Sequence, residues 1–182
     1  MPNRVAAVWS RAQRRLHWWV AALILLGFAI AWPMVALPLT ELLLKFLLYQ
    51  AHKTIGLLVL ALMLWRLLLR ARRGRPPPLP GLPGWQLRAA AAGHAALYGL
   101  ALAVPVLGYF VAATAPAQVP TLFLLVVNVP HIVGPDPAAF AALRLVHRAA
   151  AILLVVLAAG HAAMALRHHL HGRGELRAMW RG

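Results

Sequence analysis

The sequence predicts an all-α fold, an integral membrane four-helix bundle with both termini cytoplasmic, forming a single membrane domain over residues 1–182. Three observations carry that expectation. The chain is 63% hydrophobic and 12% charged, whereas a soluble domain is roughly 45–50% apolar and about 25% charged. Its apolar residues gather in four runs, near 16–37, 47–69, 90–113 and 145–166, each close to the ~20 residues a helix needs to cross a bilayer. The basic residues that bring the formal net charge to +15 fall between those runs, which puts them at membrane surfaces and argues against a nucleic acid interface.

The first run, from His17 to about Leu39, exceeds the apolar part of a cleavable leader and lacks a small-residue cleavage signal, so it is expected to be a retained span. Between the second and third runs lies Arg72-Arg73-Gly74-Arg75-Pro76-Pro77-Pro78-Leu79-Pro80-Gly81-Leu82-Pro83-Gly84, whose prolines predict an extended loop. Residues 119–130 are apolar, too short to span and bracketed by Pro120 and Pro130. They read as a non-spanning connector, re-entrant or lying on the surface. Orientation follows from the arginines. Arg4, Arg11, Arg14 and Arg15 precede the first run; Arg66, Arg70, Arg72, Arg73, Arg75 and Arg88 surround the second connection; Arg167, Arg173, Arg177 and Arg181 follow the last. The opposite side carries Lys45, Lys53, Arg144 and Arg148, offset by Glu41 and Asp136. The positive-inside bias therefore places both termini and the Pro-rich loop in the cytoplasm.

Cysteine is absent, which excludes disulfides, Fe–S clusters, thiolate metal sites and covalently attached c-type haem. Metal chemistry would rest on the nine histidines. Ionisable residues inside spans are costly, so those within the apolar runs are functional candidates. His17 and His94 lie toward the cytoplasmic ends of the first and third runs, His52 toward the outer end of the second, and His147 and His161 at the two ends of the fourth. The fourteen positions from His147 to His161 advance a helix by about 21 Å and turn it to within roughly 40° of four full turns. Both side chains then face one way at different depths. His161 can meet His17 or His94, and His147 can meet His52. Facing histidines on neighbouring helices of a bundle suit a b-type haem, which takes two axial imidazoles. Gly56, Gly160 and the alanines around His147 and His161 leave room for a flat macrocycle or simply let helices pack closely. Zinc fits less well, because it needs three or four converging ligands and the chain has no Cys and three acidic residues.

Several stretches together resemble the bacterial cytochrome b561 family. They are Arg15-Leu16-His17-Trp18, His52-Lys53-Thr54-Ile55-Gly56 leading to Arg66-Leu67-Leu68-Leu69-Arg70, Gly93-His94 through Pro105-Val106-Leu107-Gly108, Val146-His147-Arg148, and Gly160-His161-Ala162-Ala163 ending in His168-His169. The order and spacing carry the likeness over nearly the whole chain. The resemblance implies a bacterial inner-membrane protein with two haem b groups: His17 and His161 would hold the cytoplasmic-side haem, and His52 and His147 the periplasmic-side haem. Superoxide oxidases of this family pass electrons from periplasmic superoxide through both haems to ubiquinone near the cytoplasmic face. His168 matches a residue associated with that quinone site, and His94 is placed beside it. Lys53, Arg148, Lys45 and Arg144 form an outer basic patch suited to steering a small anion. Related di-haem subunits instead accept electrons from a hydrogenase or dehydrogenase partner. A reading from another class makes the chain a non-enzymatic membrane assembly or scaffold protein. In each case the basic tail would hold to anionic membrane lipid.

Overall fold

The computed structural model describes residues 9–74, 83–171 and 179–180. Four long helices dominate it: α1 (Arg11–Ala36), α2 (Leu42–Arg73), α3 (Gly84–Thr114) and α4 (Pro137–Leu170), with a two-stranded antiparallel hairpin, β1 (Thr121–Phe123) and β2 (Val127–Val129), between α3 and α4. All four helices are long and apolar enough to cross a membrane.

Local chemistry sets the helix ends, and the helices accordingly run beyond the apolar windows. Ser10 caps α1, its hydroxyl accepting from the Gln13 N–H while Gln13 Oε1 accepts from the Ser10 N–H, which satisfies two otherwise orphaned donors. Gly74 stops α2 at φ 71°, a left-handed backbone that costs glycine nothing. Arg70, Arg72 and Arg73 crowd that last turn, where cations complement the negative end of the helix dipole. At the head of α4, Asp136 Oδ1 accepts from Ala138 N and Ala139 N at 3.0 Å each, with Pro137 pre-set for a first helical turn. The expected loop is thus shorter than the sequence suggests: Arg72 and Arg73 belong to α2 and Gly84 opens α3. The rest of the Pro-rich stretch, 75–82, lies outside the described residues, as do Arg4, Arg173, Arg177 and Arg181.

The bundle is apolar outside as well as inside. Trp32, Leu145 and Val156 are 79%, 69% and 60% exposed, an arrangement stable only where the surroundings are lipid. The protein is a multi-pass membrane protein with a slender core of Val20, Ile55, Val59, Met63, Ala101 and Leu154. Packing is uneven: α1 lies chiefly on α2 and α3 chiefly on α4, the two halves meet mainly through α2 and α3, and α4 touches α1 little. A slot therefore runs between α4 and the α1–α2 pair.

The 119–130 connector is the departure from an all-α chain. Its strands pair Thr121 with Val129 and Phe123 with Val127. The fully buried Gln50 of α2 accepts from Leu122 N and donates to Pro120 O, both at 2.9 Å. Thr54, one turn on, accepts from Leu124 N and donates to Leu122 O. Tyr109 of α3 donates to Pro130 O and accepts from Ile132 N. These bonds satisfy backbone groups that lipid would leave unpaired. Gln50→Leu strands the Leu122 N–H, so the variant is expected to lose about 1–3 kcal/mol of stability, read as a lower thermal midpoint in detergent; an unchanged midpoint would show the clamp to be idle.

Candidate functional site

The two ends of the slot are each bridged by histidines. At the hairpin end, His52 of α2 faces His147 of α4 with ring centres 6.2 Å apart and planes crossed at 85°. At the other end, His17 of α1 faces His161 of α4, again at 6.2 Å, with planes at 69°. The fourteen-residue interval on α4 thus delivers one ring to each end. His94 of α3 also reaches His161, closer, at 5.3 Å.

The hydrogen bonds at the hairpin end fix which nitrogen is available. His52 Nδ1 donates to the Gly27 carbonyl and His147 Nδ1 to the Val104 carbonyl, each at 3.0 Å. A carbonyl only accepts, so Nδ1 carries the proton and the Nε2 lone pair is left for a metal, the usual support of a ligating imidazole. Both carbonyls belong to neighbouring helices, so α1 and α3 hold the rings of α2 and α4 in orientation. Gly108 completes the arrangement: a Cβ there would stand 3.0 Å from His147 Cε1, so only glycine lets the ring lie so close to α3. At the far end the Nδ1 of His17 is buried with no hydrogen-bond partner among the described residues, and its ring meets Trp18 edge-on at 5.2 Å.

These observations test whether the residues suit a bis-imidazole macrocycle. Two imidazoles on one metal, each at about 2.0 Å through a nitrogen roughly 1.1 Å from its ring centre, stand ~6.2 Å apart centre to centre. Both cross-bundle pairs have that separation, whereas His94 and His161 are too close for it. A Cβ on Gly56 or Gly160 would meet nothing within 4 Å, so the backbone beside both pairs borders open space. Among the described residues no group of three or more His, Asp or Glu side chains forms a metal site of the zinc kind. The residues fit a haem.

The remaining sequence candidates spread over both ends. Lys45 Nζ donates to the Leu37 and Val35 carbonyls, and Lys53 Nζ to the Val119 and Pro120 carbonyls. Those neutral acceptors anchor the ammonium groups at the hairpin end without cancelling their charge. Arg144 lies over Phe140 at 5.5 Å, and Arg148 is exposed. His131, hydrogen-bonded to Thr121 and packed on Tyr109, joins this end; partial burial and the Lys53 ammonium push its pKa below the usual imidazole range. At the opposite end His168 is half-buried in the last turn of α4, about two turns beyond His161. Arg66 and Arg70 both lie over the Tyr98 ring at 5.2 Å, one turn from His94. Gly27, Val104 and His131 escape sequence reasoning: a backbone carbonyl leaves no trace in residue type, and His131 sits outside every apolar run.

A membrane bundle with histidine pairs facing across it is the architecture of a b-type membrane cytochrome. Residues 8–182 match the family model for prokaryotic cytochrome b561, and the chain belongs to that family. It is 33% identical over 123 residues to cytochrome b561 homolog 1 of Escherichia coli (strain K12), covering 68% of each chain. It is also 34% identical over 120 residues to cytochrome b561 homolog 2 of the same organism, covering 66% of this chain and 63% of the relative. The chain thus spans about two thirds of the curated relatives it matches. Membership makes the protein a haem b electron-transfer protein of the membrane.

Proposed function

We propose that the protein carries two haem b groups, His52 with His147 holding one and His17 with His161 the other, and that it moves electrons across the bacterial inner membrane from periplasmic superoxide to ubiquinone. The matched 6.2 Å separation of the two histidine pairs carries this reading. Each bound haem supplies one-electron redox chemistry at its iron. The arginine distribution orients the chain, with the hairpin end periplasmic and the Arg-rich end, with both termini, cytoplasmic. Two superoxide anions would give up one electron each and leave as dioxygen, and one ubiquinone would take both electrons with two protons from the cytoplasmic side.

The chain's own residues supply the rest. Lys45, Lys53, Arg144 and Arg148 draw a small anion to the hairpin end. At the cytoplasmic end His94 and His168 are placed to pass protons to the quinone, an imidazole being able both to donate and to accept a proton, and Arg66 and Arg70 favour negative charge beside them. Freshly isolated membranes containing the protein should show dithionite-reduced b-type absorbance, with two haems per chain after purification. Superoxide mixed with the purified protein should reduce the haem rapidly, and the rate should fall several-fold between ~0.01 M and ~0.15 M salt as the screening length drops from about 30 to about 8 Å. Colourless membranes would sink the haem reading and leave a scaffold. Coloured protein that superoxide fails to reduce at low salt would pass the donor role to a hydrogenase or dehydrogenase partner.

A further inference from the structure

A cavity of about 530 Å³ lies at the Arg-rich end, lined by Arg11, Arg14, Arg15, Trp18, Trp19 and the 179–180 segment. Arg11, Arg14, Arg15 and Trp18 recur at intervals of three and four, which sets them on one face of α1. The opposite wall is Trp180, whose ring meets Trp18 edge-on at 5.1 Å. Trp18 Nε1 donates to the Met179 carbonyl at 3.2 Å and pins that wall to the helix. Trp19 and Trp180 remain 64% and 67% exposed. Among the described residues no carboxylate lines the cavity.

Three guanidinium groups with no acidic partner among the described residues make a receptor for an anion, and arginine's fork matches the paired oxygens of a phosphate. The indole walls add a second requirement. A free phosphate has nothing to place against them, whereas a lipid headgroup continues into glycerol and acyl chain, the material that interfacial tryptophans cover. The cavity also lies at the head of α1, beside the start of its apolar run near His17, the part of a spanning helix that meets headgroups.

We propose that this cavity binds the phosphodiester of an anionic membrane phospholipid, the phosphate on Arg11, Arg14 and Arg15 and the glycerol and upper chain against Trp19 and Trp180. This site is independent of the haem reading. Because Trp18 also touches the His17 ring at 5.2 Å, an occupied site would steady the cytoplasmic histidine pair from behind.

The test titrates the full chain in detergent with short-chain phosphatidylglycerol, phosphatidylcholine of the same chain length and inorganic phosphate, following tryptophan emission. Phosphatidylglycerol should give a saturable change, and both other probes should bind at least about tenfold more weakly. Arg14→Gln/Arg15→Gln should weaken phosphatidylglycerol by at least about tenfold, while Arg72→Gln/Arg73→Gln, which removes as much charge from the adjacent end of α2, should not. If the first variant fails to fold, Trp180→Ala tests the other wall and should weaken binding by about threefold or more. Equal weakening by the two arginine pairs would reduce the effect to diffuse surface charge and overturn the site. Inorganic phosphate binding as tightly as the lipid would make it a free-anion site and overturn the lipid.

Discussion

Replacing His147 with Ala is expected to remove the haem proposed at the hairpin end and leave the one proposed at the other, and His52→Ala should do the same. Each variant removes one of two imidazoles from the hairpin end and leaves the His17–His161 pair, about 21 Å away along α4, intact. The readouts are pyridine haemochrome content per chain and the number of steps in a redox titration. His17→Ala and His161→Ala should remove the other group. His94→Ala decides which ring faces His161. At 5.3 Å His94 is too near to share an axis with it, so that variant should keep both haems. Loss of the haem proposed at the end away from the hairpin in His94→Ala but not in His17→Ala would overturn the pairing.

Adding one methyl group at Gly108 should damage the hairpin-end site without touching a ligand. The new Cβ would lie 3.0 Å from His147 Cε1 and 3.4 Å from Nδ1. The ring cannot swing away freely, because Nδ1 is tied to the Val104 carbonyl one turn back on the same helix. Gly108→Ala should therefore weaken haem retention at that end by about 10–100-fold, the usual effect of disturbing a ligand's supporting bond. Gly56 provides the contrast. Beyond its own helix backbone and chain neighbours, nothing lies within 4 Å of a Cβ there, so Gly56→Leu should leave the haem-free fold as stable as before, or slightly more so from better helix propensity, yet lower haem retention. Were Gly56→Leu to keep full haem, the space beside it would not be where the macrocycle lies.

Much of this arrangement is legible in residue spacing. The His147–His161 interval, read with the arginine distribution, assigns each histidine a depth, and the structure brings together the rings that share one. Residue identity could not separate His17 from His94 as the partner of His161, because both lie at the same depth on helices adjoining the slot. The ring separations differ, 6.2 Å from His17 and 5.3 Å from His94, and the first is the one a bis-imidazole site needs. The hairpin was hidden for another reason. Its connection, Leu124-Leu125-Val126, holds Leu124 and Leu125 at φ 53° and 62°, a conformation normally announced by Asn or Gly. These residues are 61%, 52% and 81% exposed, and apolar side chains there suit contact with lipid better than the usual turn residues would. The clamp from Gln50 and Thr54, not turn propensity, pays for the strain. Helix ends run past the apolar windows wherever caps extend them, as at Arg72 and Arg73.

The uneven packing of the helices bears on how such a chain is held together. One member of each histidine pair comes from the α1–α2 half and the other from α4, while the protein's own contacts between the halves run mainly through α2 and α3. A group held by both members of a pair would therefore act as a rivet across the sparsely packed side of the bundle, and its removal would loosen α4 from α1 and α2 before it loosened α4 from α3.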